Sequence, residues 1–233
     1  TVFNAVTKST AEVSDYYTGN IKPNIAMVNV IDERLDYLNR IFNRPKTVYA
    51  TIEYLDFVGI KKDEAKKEIF SSQLLGTLRN VDDENLGKNN DLISVIRRNE
   101  KKEVVEIAGK FEMELNQLDE EDAKQFMQEF NIKESAIKKL TRISYKTLGL
   151  ISFFTIGKDE VRAWSLRNGS TALDAAGTIH TDFAKGFIRA ERYSFEDFKV
   201  YGSEKELKTA GKFFLEGKEY LVKDGDIIYI RHN

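Results

Sequence analysis

The sequence predicts an α/β protein, and three observations support this class. Residues 25–31 and 48–58 are short runs rich in β-branched and aromatic side chains, as buried strands are. Segments with helical spacing of apolar residues alternate with such runs, which is typical of an α/β sheet. Beyond Gly149 strand-like runs become frequent. We therefore predict two domains, residues 1–149 and 150–233.

The remaining elements of the first domain follow from apolar spacing. The predicted helices cover residues 1–8, 61–79, 118–130 and 137–148, and a further buried strand covers 103–109. The helix at 118–130 opens with acidic side chains, which favour a helix N-terminus because they complement the helix dipole. We expect the last two helices to cover the sheet.

Three strand-like runs stand out in the second domain, at residues 160–166, 186–195 and 219–231. Asp224 and Gly225 lie within the last run, between two β-rich halves. Asp-Gly is among the strongest short signals for a two-residue hairpin, because both residues tolerate positive φ. We therefore predict a hairpin centred on Asp224 and Gly225.

The composition limits the partners that the chain attracts. The 233 residues include 36 lysines and arginines against 38 aspartates and glutamates, a net charge of −2. No overall field recruits nucleic acid or an anionic membrane, so an RNA partner needs a local basic patch, and sequence-specific DNA binding is not expected. Cysteine is absent, and no apolar run is long enough to span a membrane. We expect a soluble, cytoplasmic protein without a membrane partner.

One short motif carries a specific chemistry. Asp56 ends an apolar strand, and Gly59 follows it by three residues in EYLDFVGI. Ligands of open α/β sheets bind beyond the carboxyl ends of the strands, where an aspartate can hold Mg²⁺ through water and a glycine amide can contact a γ-phosphate. Taken by itself, this DxxG motif also fits an ordinary turn at the end of a strand.

Segments along the whole chain resemble one family, the YchF or Obg-like ATPases, which are translation-factor-class P-loop NTPases. The segments that match in order and spacing are TVFNAVTK, NIKPNIAMVNVIDERLDYL, TIEYLDFVGI, QLLGTLRNVD, and residues 153–198 and 210–231. The resemblance implies a P-loop NTPase domain of the OBG type, with a Rossmann-like sheet, at 1–149. It implies a TGS domain, a ubiquitin-like β-grasp module, at 150–233.

The resemblance also implies that two segments are missing. Family members carry a Gly-rich phosphate loop that ends in Gly-Lys-Ser-Thr, and Thr1 matches its last residue, so the Walker A lysine is not in this sequence. A second gap falls near residues 80–83, where family members carry further strands and a long helical insertion. We interpret both gaps as segments left out of the sequence, and a shortened natural paralogue is the alternative.

The resemblance assigns four residues to the nucleotide base. Asn80 and Asp83 match the motif that reads the purine, with Asp83 where glutamate is usual, and Ala108 and Gly109 match the small residues that frame the base. Asn80 equally matches the helix that follows DxxG, so both placements stay open. The resemblance implies ATP in preference to GTP. An aspartate at position 83 keeps GTP open, because its carboxylate can pair with the guanine donors.

The metal and the hydrolytic step depend on residues that depart from the family pattern. Asp56 would order the Mg²⁺ shell. In the first switch loop Asn20 replaces the Mg²⁺-binding threonine, so either Asn20 or Thr18 supplies the second oxygen. Ile60 stands where Ras-like GTPases carry the glutamine that positions the attacking water, and an apolar side chain cannot do this. We therefore assign no catalytic residue and expect slow hydrolysis.

A basic stretch in the second domain is a candidate partner surface. Lys185, Arg189 and Arg192 alternate with aromatic side chains, a pattern suited to phosphate contact and base stacking, and related modules contact RNA or the ribosome. Core packing of those aromatic side chains is the alternative. His180 and Asp182 could form a metal or acid–base pair, but no third ligand is evident, so we expect a satisfied histidine in a buried turn.

The resemblance implies a function for the whole chain. A member of this family would be a P-loop NTPase that binds and slowly hydrolyses ATP, or GTP, with Mg²⁺. It would associate with the ribosome or RNA as a translation or stress-related regulator. The alternative is a non-catalytic RNA- or protein-binding module that has lost nucleotide turnover, which the missing Walker A lysine favours.

Overall fold

The computed structural model describes Asn4 and residues 24–56, 114–130, 132 and 134–233. The chain divides into two compact units by its contacts. The first contains Thr1–Ala26 and Tyr54–Asn131, and the second contains Met27–Glu53 and Ile132–Asn233. The second unit therefore combines a segment of the predicted first domain with the C-terminal half of the chain. The domain boundary at 149–150 stays a prediction.

The described residues form short strands and helices. The strands are β1 (Asn24–Val30), β2 (Lys46–Val48), β3 (Ala50–Asp56), β4 (Leu150–Ile156), β5 (Glu160–Arg167), β6 (Phe187–Ser194), β7 (Phe214–Glu216) and β8 (Asp226–His232). The helices are α1 (Glu33–Phe42), α2 (Glu120–Glu129), α3 (Ala136–Thr147), α4 (Ala172–Ile179), α5 (Thr181–Lys185), α6 (Phe195–Tyr201) and α7 (Glu204–Thr209). Across this described part of the chain, no helix combines the length and apolar character that a bilayer span requires.

Helix α2 belongs to the first unit. The Asp119 carboxylate caps its N-terminus by accepting hydrogen bonds from the amides of Glu121 and Asp122, at 3.0 and 2.9 Å. The rings of Phe126 and Phe130 lie 4.8 Å apart at its other end. The predicted helix at 118–130 is confirmed with slightly shorter bounds.

Six strands of the second unit form one mixed sheet in the order β2-β5-β4-β8-β6-β7. β4 and β5 form an antiparallel hairpin, with Leu150 opposite Arg167 and Ile156 opposite Val161. β8 lies parallel to β4 in the middle of the sheet and antiparallel to β6, and β2 adds to β5 in parallel at one edge. β1 and β3 pair separately as a two-stranded sheet. The predicted α/β class is confirmed.

Helix α4 covers one face of the six-stranded sheet. Its residues Ala172, Ala175 and Ala176 are fully buried and belong to one apolar cluster with Phe153 of β4 and Ile228 of β8. Because alanine side chains are small, the helix backbone approaches the sheet closely. This cluster is the main core of the second unit.

Helices α1 and α6 cover part of the opposite face. Tyr193 of β6 points away from the buried Ala190, and its ring lies 5.8 Å from Phe198 of α6. Phe42 of α1 stacks on Phe198 at 5.3 Å, and Leu38 of α1 is fully buried. A helix from the first half of the sequence is therefore part of the core of the C-terminal unit.

Several predicted elements of the sequence are confirmed. The described parts of 25–31 and 48–58 form β1 and β3, and a break at Tyr49 leaves a separate short strand, β2. The helix at 137–148 is α3, and the strands at 160–166 and 186–195 are β5 and β6. The elements at 1–8, 61–79 and 103–109 lie outside the described residues, except that Asn4 is helical.

The turn at Asp224 and Gly225 is present, as predicted. The amide of Asp226 donates to the carbonyl oxygen of Lys223 at 3.1 Å, which closes the turn. Gly225 adopts a φ of +84°, a conformation that glycine adopts without steric cost.

The predicted hairpin around this turn is wrong. The residues before the turn do not pair with β8, whose neighbours are β4 and β6. The carbonyl oxygen of Tyr220 instead accepts from the amide of Ala172 at 2.8 Å, and the amide of Val222 donates to the carbonyl oxygen of Ser170 at 3.0 Å. The backbone of this segment is therefore hydrogen-bonded to the connection between β5 and α4.

Candidate nucleotide site and partner surface

Most of the residues predicted to bind nucleotide or metal lie outside the described residues, and these are Thr1, Thr18, Asn20, Gly59, Ile60, Asn80, Asp83, Ala108 and Gly109. Asp56 is the last residue of β3, which pairs with β1. The motif that begins with Asp56 thus starts at the carboxyl end of a sheet strand, where ligands of open α/β sheets bind. Ile52 is buried and holds this strand in place.

A cleft of about 650 Å³ lies within the second unit, between the end of β1, the start of α1, helix α3 and the start of β4. Lys138, Arg142 and Lys146 of α3 line it, and their spacing of four residues puts them on one face of the helix. Arg142 pairs with Glu134 at 3.2 Å. None of the predicted site residues lines this cleft. Acidic and basic side chains both line the cleft, so its charge does not indicate one class of ligand.

Arg34 forms the most extensive ion-pair network beside this cleft. Its guanidinium donates to Asp224 at 2.6 Å and to Asp32 at 2.8 Å, and it lies 5.2 Å from the centre of the Phe154 ring. Burial opposes the charge of this group, but the hydrogen bonds to Asp32 and Asp224 outweigh that effect and raise the pKa of Arg34 above its ordinary value. Arg34 therefore stays charged and fixes α1 to the turn before β8.

The three cations of the predicted partner surface lie in different environments. Lys185 ends α5 with 78% of its side chain exposed, and its ammonium is 3.7 Å from the Asp182 carboxylate. Arg189 is exposed on β6. A pair as exposed as Lys185 and Asp182 contributes little to stability. Lys185 and Arg189 are therefore free to meet a partner.

Arg192 lies on the other face of β6, because residues three apart on a strand point in opposite directions. Only 13% of its side chain is exposed, and its guanidinium donates two hydrogen bonds to Glu216, at 3.0 and 3.1 Å. The same group lies 4.2 Å from the Phe214 ring centre and 4.7 Å from that of Tyr220. The structure does not bring Arg192 together with Arg189.

The aromatic side chains of this stretch belong to the interior. Phe187 and Tyr193 are 9% and 4% exposed. Phe183 packs against the apolar cluster under α4 and stacks on His232 with 4.0 Å between ring centres. Core packing, the alternative reading of these residues, is what the structure shows, and a nucleic-acid base has no access to Phe187 or Tyr193.

His180 differs from its prediction. Its side chain is 60% exposed, whereas a buried turn was expected. The ring caps α5, because Nδ1 accepts a hydrogen bond from the amide of Asp182 at 3.2 Å. In the ranges that the structure describes, no group of three or more histidines and carboxylates could hold a metal ion. His180 is therefore satisfied, as expected, but at the surface.

Sequence reasoning missed an exposed part of the sheet beside Arg189. We call it the open face and define it by five residues, Arg189 and Glu191 of β6, Leu215 of β7, and Tyr229 and Arg231 of β8. In the register of the sheet Arg189 lies opposite Arg231, and Glu191 lies opposite both Tyr229 and Leu215, so all five point to the same side. The alternation of apolar and other residues in DIIYIRH could have indicated Tyr229 and Arg231.

Comparison with known proteins identifies the family. A family named YchF-GTPase_C, described as a protein of unknown function (DUF933), matches residues 150–233. The ribosome-binding ATPase YchF of Buchnera aphidicola subsp. Acyrthosiphon pisum is 31% identical over 345 aligned positions, which cover 100% of this chain and 95% of that protein. Obg-like ATPase 1 of Gallus gallus is 46% identical over 130 positions, which cover 56% of this chain and 33% of that protein.

A solved structure shares the fold. The YchF GTPase of Schizosaccharomyces pombe superposes with a TM-score of 0.71 at 21% identity, over 99% of this chain and 93% of that chain. The resemblance noted in the sequence is thus confirmed by a relative aligned along the entire chain and by a matching fold. The chain belongs to the YchF family.

Proposed function

We propose that this protein is a P-loop NTPase that binds and slowly hydrolyses ATP, or GTP, and associates with the ribosome in the cytoplasm. One observation carries the proposal: the relative that aligns with the entire chain at 31% identity is a ribosome-binding ATPase. The nucleotide state would control that association, in a translation or stress-related role. Of the two nucleotides we favour ATP, because the curated relatives are named ATPases, and Asp83 keeps GTP open.

The proposed nucleotide site combines residues from several loops. Asp56 orders the Mg²⁺ shell, Gly59 contacts the γ-phosphate through its amide, and Thr1 closes the phosphate loop. Asn80 and Asp83 read the base, which Ala108 and Gly109 frame. Mg²⁺ supplies charge neutralisation at the phosphates when bound. Asp56 fits this ion, because Mg²⁺ prefers oxygen ligands, and Asn20 or Thr18 would supply another oxygen.

The proposed domain organisation is an OBG-type P-loop domain at 1–149 and a TGS domain at 150–233. The order β5-β4-β8-β6-β7 supports a β-grasp module. The first strand of the β4–β5 hairpin and the last strand, β8, form a central parallel pair, β5 flanks it on one side, and β6 and β7 flank it on the other. β2 extends that sheet from outside the module. The TGS domain would provide the contact with the ribosome or RNA.

The alignment length supports the proposed internal gap. The alignment with the Buchnera protein has 345 positions and this chain has 233 residues, so 112 positions of that alignment have no residue of this chain. An insertion of that size would hold the strands and helices expected near residues 80–83.

Calorimetry on the full-length gene product tests the proposal. We expect ATP with Mg²⁺ to bind more tightly than GTP, and Asp56→Asn to weaken binding only when Mg²⁺ is present. Asp159→Asn is the matched control, because this exposed carboxylate lies in the β4–β5 connection. If neither nucleotide binds to a chain with an intact phosphate loop, the proposal is contradicted. Co-sedimentation with ribosomes at saturating nucleotide tests the partner separately.

The alternative function is a non-catalytic module that binds RNA or protein. A P-loop enzyme without the Walker A lysine loses much of its hold on the phosphates, so this alternative holds if the gene does not encode that lysine. The gene sequence before Thr1 distinguishes the two. A Gly-Lys-Ser encoded there contradicts the alternative.

A further inference from the structure

The open face is an uncovered end of the central sheet. At its other end the same side of β6 and β8 carries Tyr193 and Ile227, which are 4% and 3% exposed. Toward the C-terminus of β8, in contrast, Tyr229 and Arg231 are 63% and 57% exposed. The change from buried to exposed side chains occurs within one strand. The exposed side chains therefore lie in contact with solvent on a rigid backbone.

Two like charges lie side by side on this surface. Arg189 and Arg231 are direct cross-strand partners, and like charges in such positions repel and destabilise the pair. Arg231 is neutralised by Glu191, to which it donates at 2.6 and 2.7 Å. Arg189 has no ion-pair partner in the part of the chain that the structure describes. The open face therefore has one guanidinium available for an anion.

An exposed aromatic ring lies beside these cations. Tyr229 is two residues from Arg231 on the same side of β8, a separation of about 6.8 Å along the strand. The backbone of a strand is fixed by its hydrogen bonds to the neighbouring strands. Binding a ligand through this ring would therefore cost little backbone conformational entropy. A ring next to guanidinium groups can stack on a base while the cations contact its phosphate.

We propose that the open face binds single-stranded RNA, with the Tyr229 ring stacked on a base and Arg189 at the adjoining phosphate. This inference rests on the proposed function, since it specifies the kind of RNA and the residues through which the chain meets its ribosomal partner. It replaces Arg192 of the sequence prediction by Tyr229.

The arrangement favours RNA over a protein partner. The two exposed apolar side chains of the open face, Leu215 and Tyr229, are separated by Glu191 in the register of the sheet. A protein interface has a contiguous apolar centre from which charged residues are depleted. Stacking on one ring needs no such continuity. Duplex RNA offers no free base to the ring, so an open strand fits best.

Fluorescence anisotropy with a labelled single-stranded RNA of about 12 nucleotides tests the proposal on the full-length protein. We expect Tyr229→Ala to weaken binding at least about fivefold and Tyr229→Phe to retain it, because stacking needs the ring and not the hydroxyl. Arg189→Gln should weaken binding and reduce the salt dependence by about 0.7 in the slope of log K against log salt. Circular dichroism checks that each variant is folded.

Matched controls lie elsewhere on the same unit. Tyr201→Ala removes an exposed ring from α6, and Lys199→Gln removes an exposed positive charge from the same helix. Both should bind the RNA as the unaltered protein does. Equal losses in these controls, or unaltered binding by Tyr229→Ala, overturn the proposal.

Two further outcomes separate this inference from the proposed function. Ribosome co-sedimentation without any binding of single-stranded RNA, or with preference for a duplex competitor, overturns the inference and leaves the NTPase proposal standing. RNA binding through Tyr229 by a chain with an intact phosphate loop that binds no nucleotide supports the inference and contradicts the NTPase proposal.

Discussion

Arg34 and Asp224, 190 residues apart in the sequence, are joined by a hydrogen bond of 2.6 Å between Nη1 and Oδ2. Asp224 also accepts from the amide of Ser152 at 2.8 Å, so the same carboxylate links α1, β4 and the turn before β8. The bond adds to the packing of Leu38 and Phe42 in holding a helix from the first half of the chain on the C-terminal sheet. The coupling energy of Arg34 and Asp224, and the space that their contact needs at Gly225, can both be measured.

A double-mutant cycle measures the coupling between Arg34 and Asp224. We expect Arg34→Met and Asp224→Asn to be coupled by about 0.5–1 kcal/mol in urea unfolding, because both side chains are partly exposed. Asparagine can still accept from the Ser152 amide, so the cycle isolates the ion pair. The coupling should fall in about 1 M salt, since exposed charges are screened. Additive effects of the two changes at low salt would contradict the assignment.

Gly225 is required by the same junction. A Cβ at this position would lie 2.9 Å from Nη1 of Arg34, and its φ of +84° is strained for any other residue. We expect Gly225→Ala to reduce the free energy of unfolding by about 1–3 kcal/mol. In an Arg34→Ala background the loss should be smaller but not absent, because the contact is relieved and the backbone strain stays.

Gly217→Ala is the control for this prediction. No atom lies within 4 Å of its would-be Cβ, and its φ is not positive. The free energy of unfolding of this variant should change by less than about 0.5 kcal/mol. Equal effects at Gly217 and Gly225 would show that the loss of glycine flexibility, and not the junction, is responsible.

The strands and longer helices could be predicted from the sequence because their apolar spacing is local. Helix α1 was missed, although Asp32 caps it and acidic residues fill its first turn, because the preceding strand runs directly into it. The parallel pairing of β2 with β5, which puts Lys46 beside Glu160, could not be predicted, since periodicity does not specify a distant partner. The separation of Arg189 from Arg192 could have been predicted from the two-residue period of a strand.

Asp226 makes the stability of the second unit dependent on pH. It is 1% exposed and accepts hydrogen bonds from the Tyr220 hydroxyl at 2.8 Å and the Lys223 amide at 2.9 Å. Burial raises the pKa of the Asp226 carboxyl above its ordinary value, and the hydrogen bonds from Lys223 and Tyr220 only partly offset this. The folded chain therefore holds the proton to higher pH than the unfolded chain does.

The sign of the pH effect follows from this raised pKa. The contribution of Asp226 to stability is fully present below its unfolded pKa and is lost as the pH rises through the folded pKa. Asp226→Asn lacks this dependence, so its stability relative to the unaltered protein should increase as the pH rises from about 4, in urea unfolding at a series of pH values. Asp159→Asn, which removes an exposed carboxylate, is the control. A difference that is constant over this range would contradict the prediction.

Arg192 and Arg189 provide a final comparison on one strand. Arg192→Ala leaves the Glu216 carboxylate, itself only 24% exposed, without its partner and opens the space between two rings. We expect a loss of about 2–4 kcal/mol in the free energy of unfolding, since removing one partner of a mostly buried ion pair leaves an uncompensated charge. Arg189→Ala, at an exposed position, should change it by less than about 0.5 kcal/mol. RNA binding by the folded fraction of Arg192→Ala should equal that of the unaltered protein, because this guanidinium faces the interior. Weaker RNA binding by Arg192→Ala would show that Arg192 belongs to the partner surface.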